Sequence, residues 1–139
     1  MTAGHTPREH EEGLALFIEP NWRARFRDSL DNDRLRKRVL FKLDHFRHLD
    51  PRFTENLPRA DQRSEFLLPV LRGHGAPARC YLMSSDPDLD RRELPLGEAL
   101  ALLLEDFCQM GTLLSCIPGR LAYFHDEEYD NRHILRRPA

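Results

Sequence analysis

Lysine is almost missing from this sequence: of its 21 basic residues, only Lys37 and Lys42 are not arginine. Cysteine is scarce and odd in number, with Cys80, Cys108 and Cys116 at no C-x-x-C spacing. That excludes a disulfide framework or a zinc ribbon and fits a reducing compartment. Their apolar surroundings, as in Cys80-Tyr81-Leu82 and Ser115-Cys116-Ile117, read as small buried hydrophobes. Long hydrophobic stretches are missing as well. The longest unbroken apolar run, Ala99 to Leu104, falls far short of the roughly 20 residues of a membrane-crossing helix. The first dozen residues lack the basic start and apolar stretch of a secretory signal, so the expected location is cytoplasmic. Glycine supplies no phosphate-cradling loop, because Gly73-His74-Gly75 is too short and does not join a strand to a helix. There is no G-x-S-x-G elbow and no kinase or protease signature. No catalytic residue is therefore assigned and no cofactor is expected.

What the chain does have suits one soluble domain. It is 139 residues long, 40% hydrophobic and 32% charged, with a net charge of −2. A chain of that length buries roughly two thirds of its unfolded surface. Its apolar share is too high, and its net charge too small, for global disorder. The small net charge hides a block structure: −3 over residues 1–19, +5 over 20–63 and −4 over 64–139. Such asymmetry shapes surface potential rather than fold. The arginine excess suits phosphate recognition, and codon usage in a GC-rich bacterial genome explains it as simply.

The expected fold is α+β: N-terminal helices, then a small, mostly antiparallel sheet of three or four strands packed on one amphipathic helix. Residues 1–13 read as a flexible tail, 14–73 as mainly helical and 78–136 as β-α-β-β-β. Pro20 suits a first helical position, and Trp22, Phe26 and Leu30 form one stripe. Asp31-Asn32-Asp33 breaks that helix and caps a second. In the second helix Leu35, Val39, Leu43, Phe46 and Leu49 share a sector, and Pro51 ends it. The polar stretch from Asp50 to Ala60 reads as a long loop, and a third helix runs from about Ser64 to Arg72 despite Pro69. Arg79 to Ser84 reads as a buried strand. After Pro95, Leu96, Leu100, Leu103, Leu104 and Phe107 line one helix face. Thr112 to Ile117 and Arg120 to His125 flank a turn at Pro118-Gly119, with Cys116 expected opposite Leu121 and Leu114 opposite Tyr123. Arg132 to Arg136 adds a last strand.

Three classes of function follow. The first is a non-catalytic protein-interaction or regulatory module with an unidentified protein partner. Its candidate binding residues are Arg34, Lys37, Arg38, Phe41, His45 and His48: Phe41 falls outside the apolar stripe, where the ordinary reading is that a neighbouring helix covers it and the functional one is an exposed aromatic in a basic, histidine-containing patch. The second uses the same Arg-rich helices, residues 20–48, to bind nucleic acid or phosphate, with Phe41 or Trp22 stacking on bases. Against it stand the interleaved Asp28, Asp31, Asp33 and Asp44, which could pair locally, and a pI near 6.4. The third is a metal-dependent hydrolase. Asp86, Asp88 and Asp90 resemble the start of a calcium loop, but Arg91 and Gly97 stand where that loop needs glycine and glutamate. His125, with Asp126, Glu127, Glu128, Asp130 and His133, offers another ligand set without any H-E-x-x-H spacing. His45 and His48 read as one helical turn apart, with no nearby carboxylate except Asp44, which points to a different side. The ordinary readings of these clusters are polar turns and solvated loops.

Overall fold

Helix α1 (Pro7–Ala15) starts where a flexible tail was expected. Thr6 accepts a hydrogen bond from the Glu9 amide, and the Glu9 carboxylate accepts one from the Thr6 amide, forming a capping box with Pro7 just inside. The helix is anchored from outside as well. His10, Glu11, Leu14 and Ala15 are buried, and Gly13 lies so close to the Pro118-Gly119 turn that a side chain would strike its backbone. The computed structural model describes residues 4–105 and 110–138.

Helices α2 (Pro20–Ser29) and α3 (Asp33–Leu43) follow, joined by three residues. Asn32 caps α3 by accepting from the Leu35 amide, and Asp33 places a negative charge in its first turn. The second helix thus begins as expected, but it stops at Leu43 instead of running to Pro51. Asp44 leaves the helical conformation, and its carboxylate accepts from the Gly111 amide at 2.6 Å and the Ser85 hydroxyl at 2.8 Å. His45 then takes a left-handed φ of 61° and donates its amide to Asp126. Tertiary partners therefore outcompete the helical ladder, and Phe46 and Leu49 belong to the connection. Gly111 is required there, since a side chain would collide with the Leu43 carbonyl.

The remaining elements are β1 (Thr54–Asn56), α4 (Ser64–Gly73), β2 (Arg79–Ser84), β3 (Glu93–Pro95), α5 (Leu96–Leu104), β4 (Thr112–Ile117), β5 (Leu121–His125) and β6 (His133–Arg136). The α+β class holds, with a six-stranded antiparallel sheet, in the order β1-β6-β5-β4-β2-β3, in place of three or four strands. The unexpected β1 and β3 are three-residue edge strands. Segments that short carry no alternation to read, and pairing with β6 and β2 defines them. Leu114 does oppose Tyr123, but Leu121 opposes Ile117, because the ladder shifts register between Ser115 and Ile117.

Helices cover both faces of the sheet, not one. Leu82, Leu114, Tyr123 and Ile134 share a core with Leu67 and Leu71 of α4 and Leu96, Leu100 and Leu103 of α5. Their strand neighbours Met83, Leu113, Phe124 and Leu135 face Leu14 of α1, Trp22 and Phe26 of α2, and Val39 and Leu43 of α3. Successive strand residues point to opposite faces, so the unbroken apolar runs of β2, β4 and β5 are the mark of a sheet buried on both sides. Each large side chain fully buried here contributes about 1.5–3 kcal/mol. Cys80 and Cys116 are buried free thiols; burial pushes Cys80 up to about 12 and raises Cys116 too, so neither is a nucleophile near neutral pH. Phe107 and Cys108 lie outside the described residues. No helix is long and apolar enough to cross a membrane among the described residues.

Candidate functional site

Helix α3 presents two unlike sides. Arg36, Val39 and Leu43 recur at helical spacing and are buried. Arg34, Lys37, Arg38, Phe41 and Lys42 are exposed, and Phe41 is 78% accessible. The inner arginine is engaged through both terminal nitrogens, while its Nε is buried without a partner. Its guanidinium donates to Glu11 at 2.8 Å and to both oxygens of Asp90 at 2.9 and 3.1 Å. Glu11 also accepts from the Tyr81 hydroxyl at 2.6 Å, and Asp90 from the Ser84 amide at 3.0 Å. This network ties α1, α3 and β2 together, and burial followed by the Glu11 bond raises the Tyr81 pKa.

On the outer side a groove of about 610 Å³ runs between α2 and α3. Its floor is Trp22 and Val39, both buried, and its rim holds Phe41, Arg25, Lys37, Arg38, Lys42 and Asp28. Arg25 and Lys42 lie over the Trp22 ring at 5.3 and 5.6 Å. The interleaved acids do not neutralise this face. Asp31 is held by Arg8, Asp33 reaches Arg91 at 3.8 Å, and Asp44 is spent on Gly111 and Ser85. Among the described residues, Arg25, Arg34, Lys37, Arg38 and Lys42 have no carboxylate within 4.0 Å. Lys37, Arg38 and Phe41, expected together from sequence, thus share one open surface.

His45 and His48 do not join it as a pair. His48 stacks on Trp22 at 4.6 Å and reaches Glu19 at 3.4 Å. His45, swung out by the helix end, meets acids from the loop after β5. Its Nδ1 lies 2.5 Å from Glu128 and 3.6 Å from Asp126, and its Nε2 lies 2.8 Å from Glu127. The hydrogen bond to Glu128 is the main cause of its raised pKa, with Asp126 and Glu127 adding to it. The expectation of no nearby carboxylate except Asp44 is thereby corrected. Sequence spacing could not reveal this group, since 81–83 residues separate its members.

One nitrogen and two carboxylate oxygens, from His45, Asp126 and Glu128, lie within 4.8 Å of one another. That donor set suits a divalent transition metal. The same atoms are already engaged: Arg47 grips Glu128 at 3.0 and 3.1 Å, and Asn131 donates to Asp126 at 3.1 Å. The other proposed ligands do not converge. Asp86 accepts from the Asp88 amide, a local turn, while Asp90 belongs to Arg36. His125 is fully buried and hydrogen-bonded to the Tyr123 hydroxyl at 2.9 Å.

No family model matches the chain, and neither a curated protein nor a solved structure matches it. Its function is therefore argued from its own residues.

Proposed function

We propose that this protein is a non-catalytic interaction module that docks a protein partner on the outer face of α2 and α3. One observation carries the reading: Phe41 stands 78% exposed among cations that no carboxylate of the described chain neutralises. Tyr129, the other exposed large hydrophobic among the described residues, differs, because Arg59 and Arg132 lie over its ring at 4.1 and 4.5 Å. A single exposed hydrophobic is common on any surface, so what supports the docking reading is the combination of this aromatic with an unpaired cationic rim and a groove beside it. The test places a photo-crosslinking phenylalanine analogue at position 41, with a control at Glu65, which lies on α4 and is 72% exposed. In extracts of the source organism, position 41 should give a discrete protein adduct that the control lacks. Adducts at both positions, or at neither, would remove the reading; adducts destroyed by nuclease would transfer the surface to nucleic acid, which the same cations could grip.

A metal-dependent hydrolase draws support from the His45, Asp126 and Glu128 grouping. Binding of Zn²⁺ or Mn²⁺ to the folded state alone would raise the melting temperature with metal concentration. A melting curve unmoved by either ion, against a chelator control, removes that reading.

A further inference from the structure

Resting on the docking reading above, we propose that the α2–α3 groove takes a short acidic segment of a partner protein carrying one large apolar side chain. Charge complementarity comes first. Arg25, Lys37, Arg38 and Lys42 line the groove against a single carboxylate, Asp28. Asp28 and Leu35 lie towards the three-residue connection between the helices, while Lys42 sits over Trp22 at the other end. The partner's acids therefore gather at the Trp22–Lys42 end.

The apolar anchor follows from the floor and rim. Trp22 and Val39 lie at the base only 7% and 4% exposed, with His48 stacked on Trp22 and Arg25 and Lys42 over its ring, so the open apolar surface of the groove is Phe41, 78% exposed. An apolar side chain laid against Phe41 removes its ring from water, which a string of carboxylates alone would not do.

Length favours a peptide over a nucleic-acid strand. The lining runs from Trp22 to Asp28 on α2 and from Leu35 to Lys42 on α3, about 9–10 Å at 1.5 Å per residue. That accommodates about two turns of a docked helix, a common way for amphipathic segments to bind. A nucleic-acid strand would lay only about three phosphates across it. Beyond the groove Arg8 and Arg91 are already turned to Asp31 and Asp33, and Arg34 alone of the unpaired cations on α3 lies outside the lining. The chain as a whole is also slightly acidic, at −2, which disfavours a long polyanion.

The test uses the full-length protein and fluorescence anisotropy with four probes. They are an acidic amphipathic peptide with a tryptophan anchor, the same peptide with serine at the anchor, the same peptide with its acids changed to amides, and a single-stranded oligonucleotide of equal charge. The acidic, anchored peptide should bind with a micromolar dissociation constant and bind tightest. Phe41→Ser, and separately Lys37→Glu with Arg38→Glu, should each weaken it by about tenfold or more. The charge-reversed protein should in turn prefer a lysine version of the peptide. All three side chains are exposed, so unchanged melting curves would show that these variants still fold. Equal binding of the anchorless or the amide peptide overturns the inference, as do tighter binding of the oligonucleotide and silence from every peptide. If the peptides are silent while position 41 still cross-links to a protein, the docking face stands and its acidic occupant falls. If both are silent, both fall.

Discussion

Two arginines two residues apart on α3 show how this fold divides its charge. Arg36 faces inward, 4% exposed, with Glu11 and Asp90 closing on its guanidinium. Arg38 faces outward with no carboxylate within reach among the described residues. The sequence gives them the same chemistry, and helical geometry alone sends them to opposite fates. A buried ion must be compensated or it destabilises the fold, whereas an exposed one is solvated and free to meet another molecule. The contrast assigns structure to the inner side of α3 and leaves the outer side to solvent, where we propose recognition.

The strongest way to break the contrast is Arg36→Ala. It strands the carboxylates of Glu11 and Asp90 in a water-poor site, and should cost about 3–5 kcal/mol in urea unfolding. The sharper version replaces Arg36 with methionine and Glu11 and Asp90 with their amides. This should recover much of the loss, because no charge is left unpaired. If Arg36→Ala unfolds at the wild-type midpoint, the network has no structural role.

Gly111→Ala comes next. The added methyl meets the backbone where α3 ends, and overpacking of this kind costs about 1–3 kcal/mol. Its effect should be local, loosening the Asp44 bonds to Gly111 and Ser85 and with them the turn that presents His45. Amide exchange at His45 and Phe46 should accelerate more than in β4. Uniform acceleration across the sheet would show instead that the contact supports the whole fold.

Two histidines carry the same contrast into pH dependence. His10 is buried between α1 and the sheet, at 2.7 Å from the Ser115 hydroxyl, and burial lowers its pKa from 6.5, with His5 adding to the shift. The unfolded chain binds this proton more readily, so stability should fall as pH drops below 6.5 towards the depressed folded value. His45, facing Asp126, Glu127 and Glu128, has the opposite sign. Its contribution is complete below 6.5 and fades as pH rises through its raised folded value. Imidazole NMR titration should place His45 above and His10 below 6.5, and Glu128→Gln should lower the His45 value. Both rings titrating together near 6.5 would contradict these environments.

How much of this was legible in the sequence depends on distance along the chain. The starts of α2 and α3, the strand Arg79–Ser84 and the opposition of Leu114 to Tyr123 follow from local caps and alternation. Helical spacing sets Lys37, Arg38 and Phe41 off the apolar stripe, but the ordinary expectation of a neighbouring helix over Phe41 does not hold, since its ring is 78% exposed. The end of α3, the two edge strands and the His45 cluster do not follow from local signals, because each is set by a partner far away in sequence: Gly111, β6 or β2, and the loop after β5. The supposed tail was misjudged for a different reason. Its capping box and glycine are local signals, but their meaning depended on the turn at Pro118-Gly119 against which Gly13 packs.

The smallest stability effect is the most discriminating. Phe41→Ser removes an exposed aromatic that touches no core, so folding stability should move by no more than about 0.5 kcal/mol in either direction. A larger loss would mean that Phe41 packs against the protein in solution and is unavailable to a partner. A near-zero effect, set beside the large cost of Arg36→Ala, would show that one helix carries a side required for folding and a side dispensable to it. Dispensability alone does not prove binding. It does remove the competing explanation, since an aromatic that contributes nothing to stability gains nothing for the fold by standing in water, and the adduct at position 41 then reports on recognition alone.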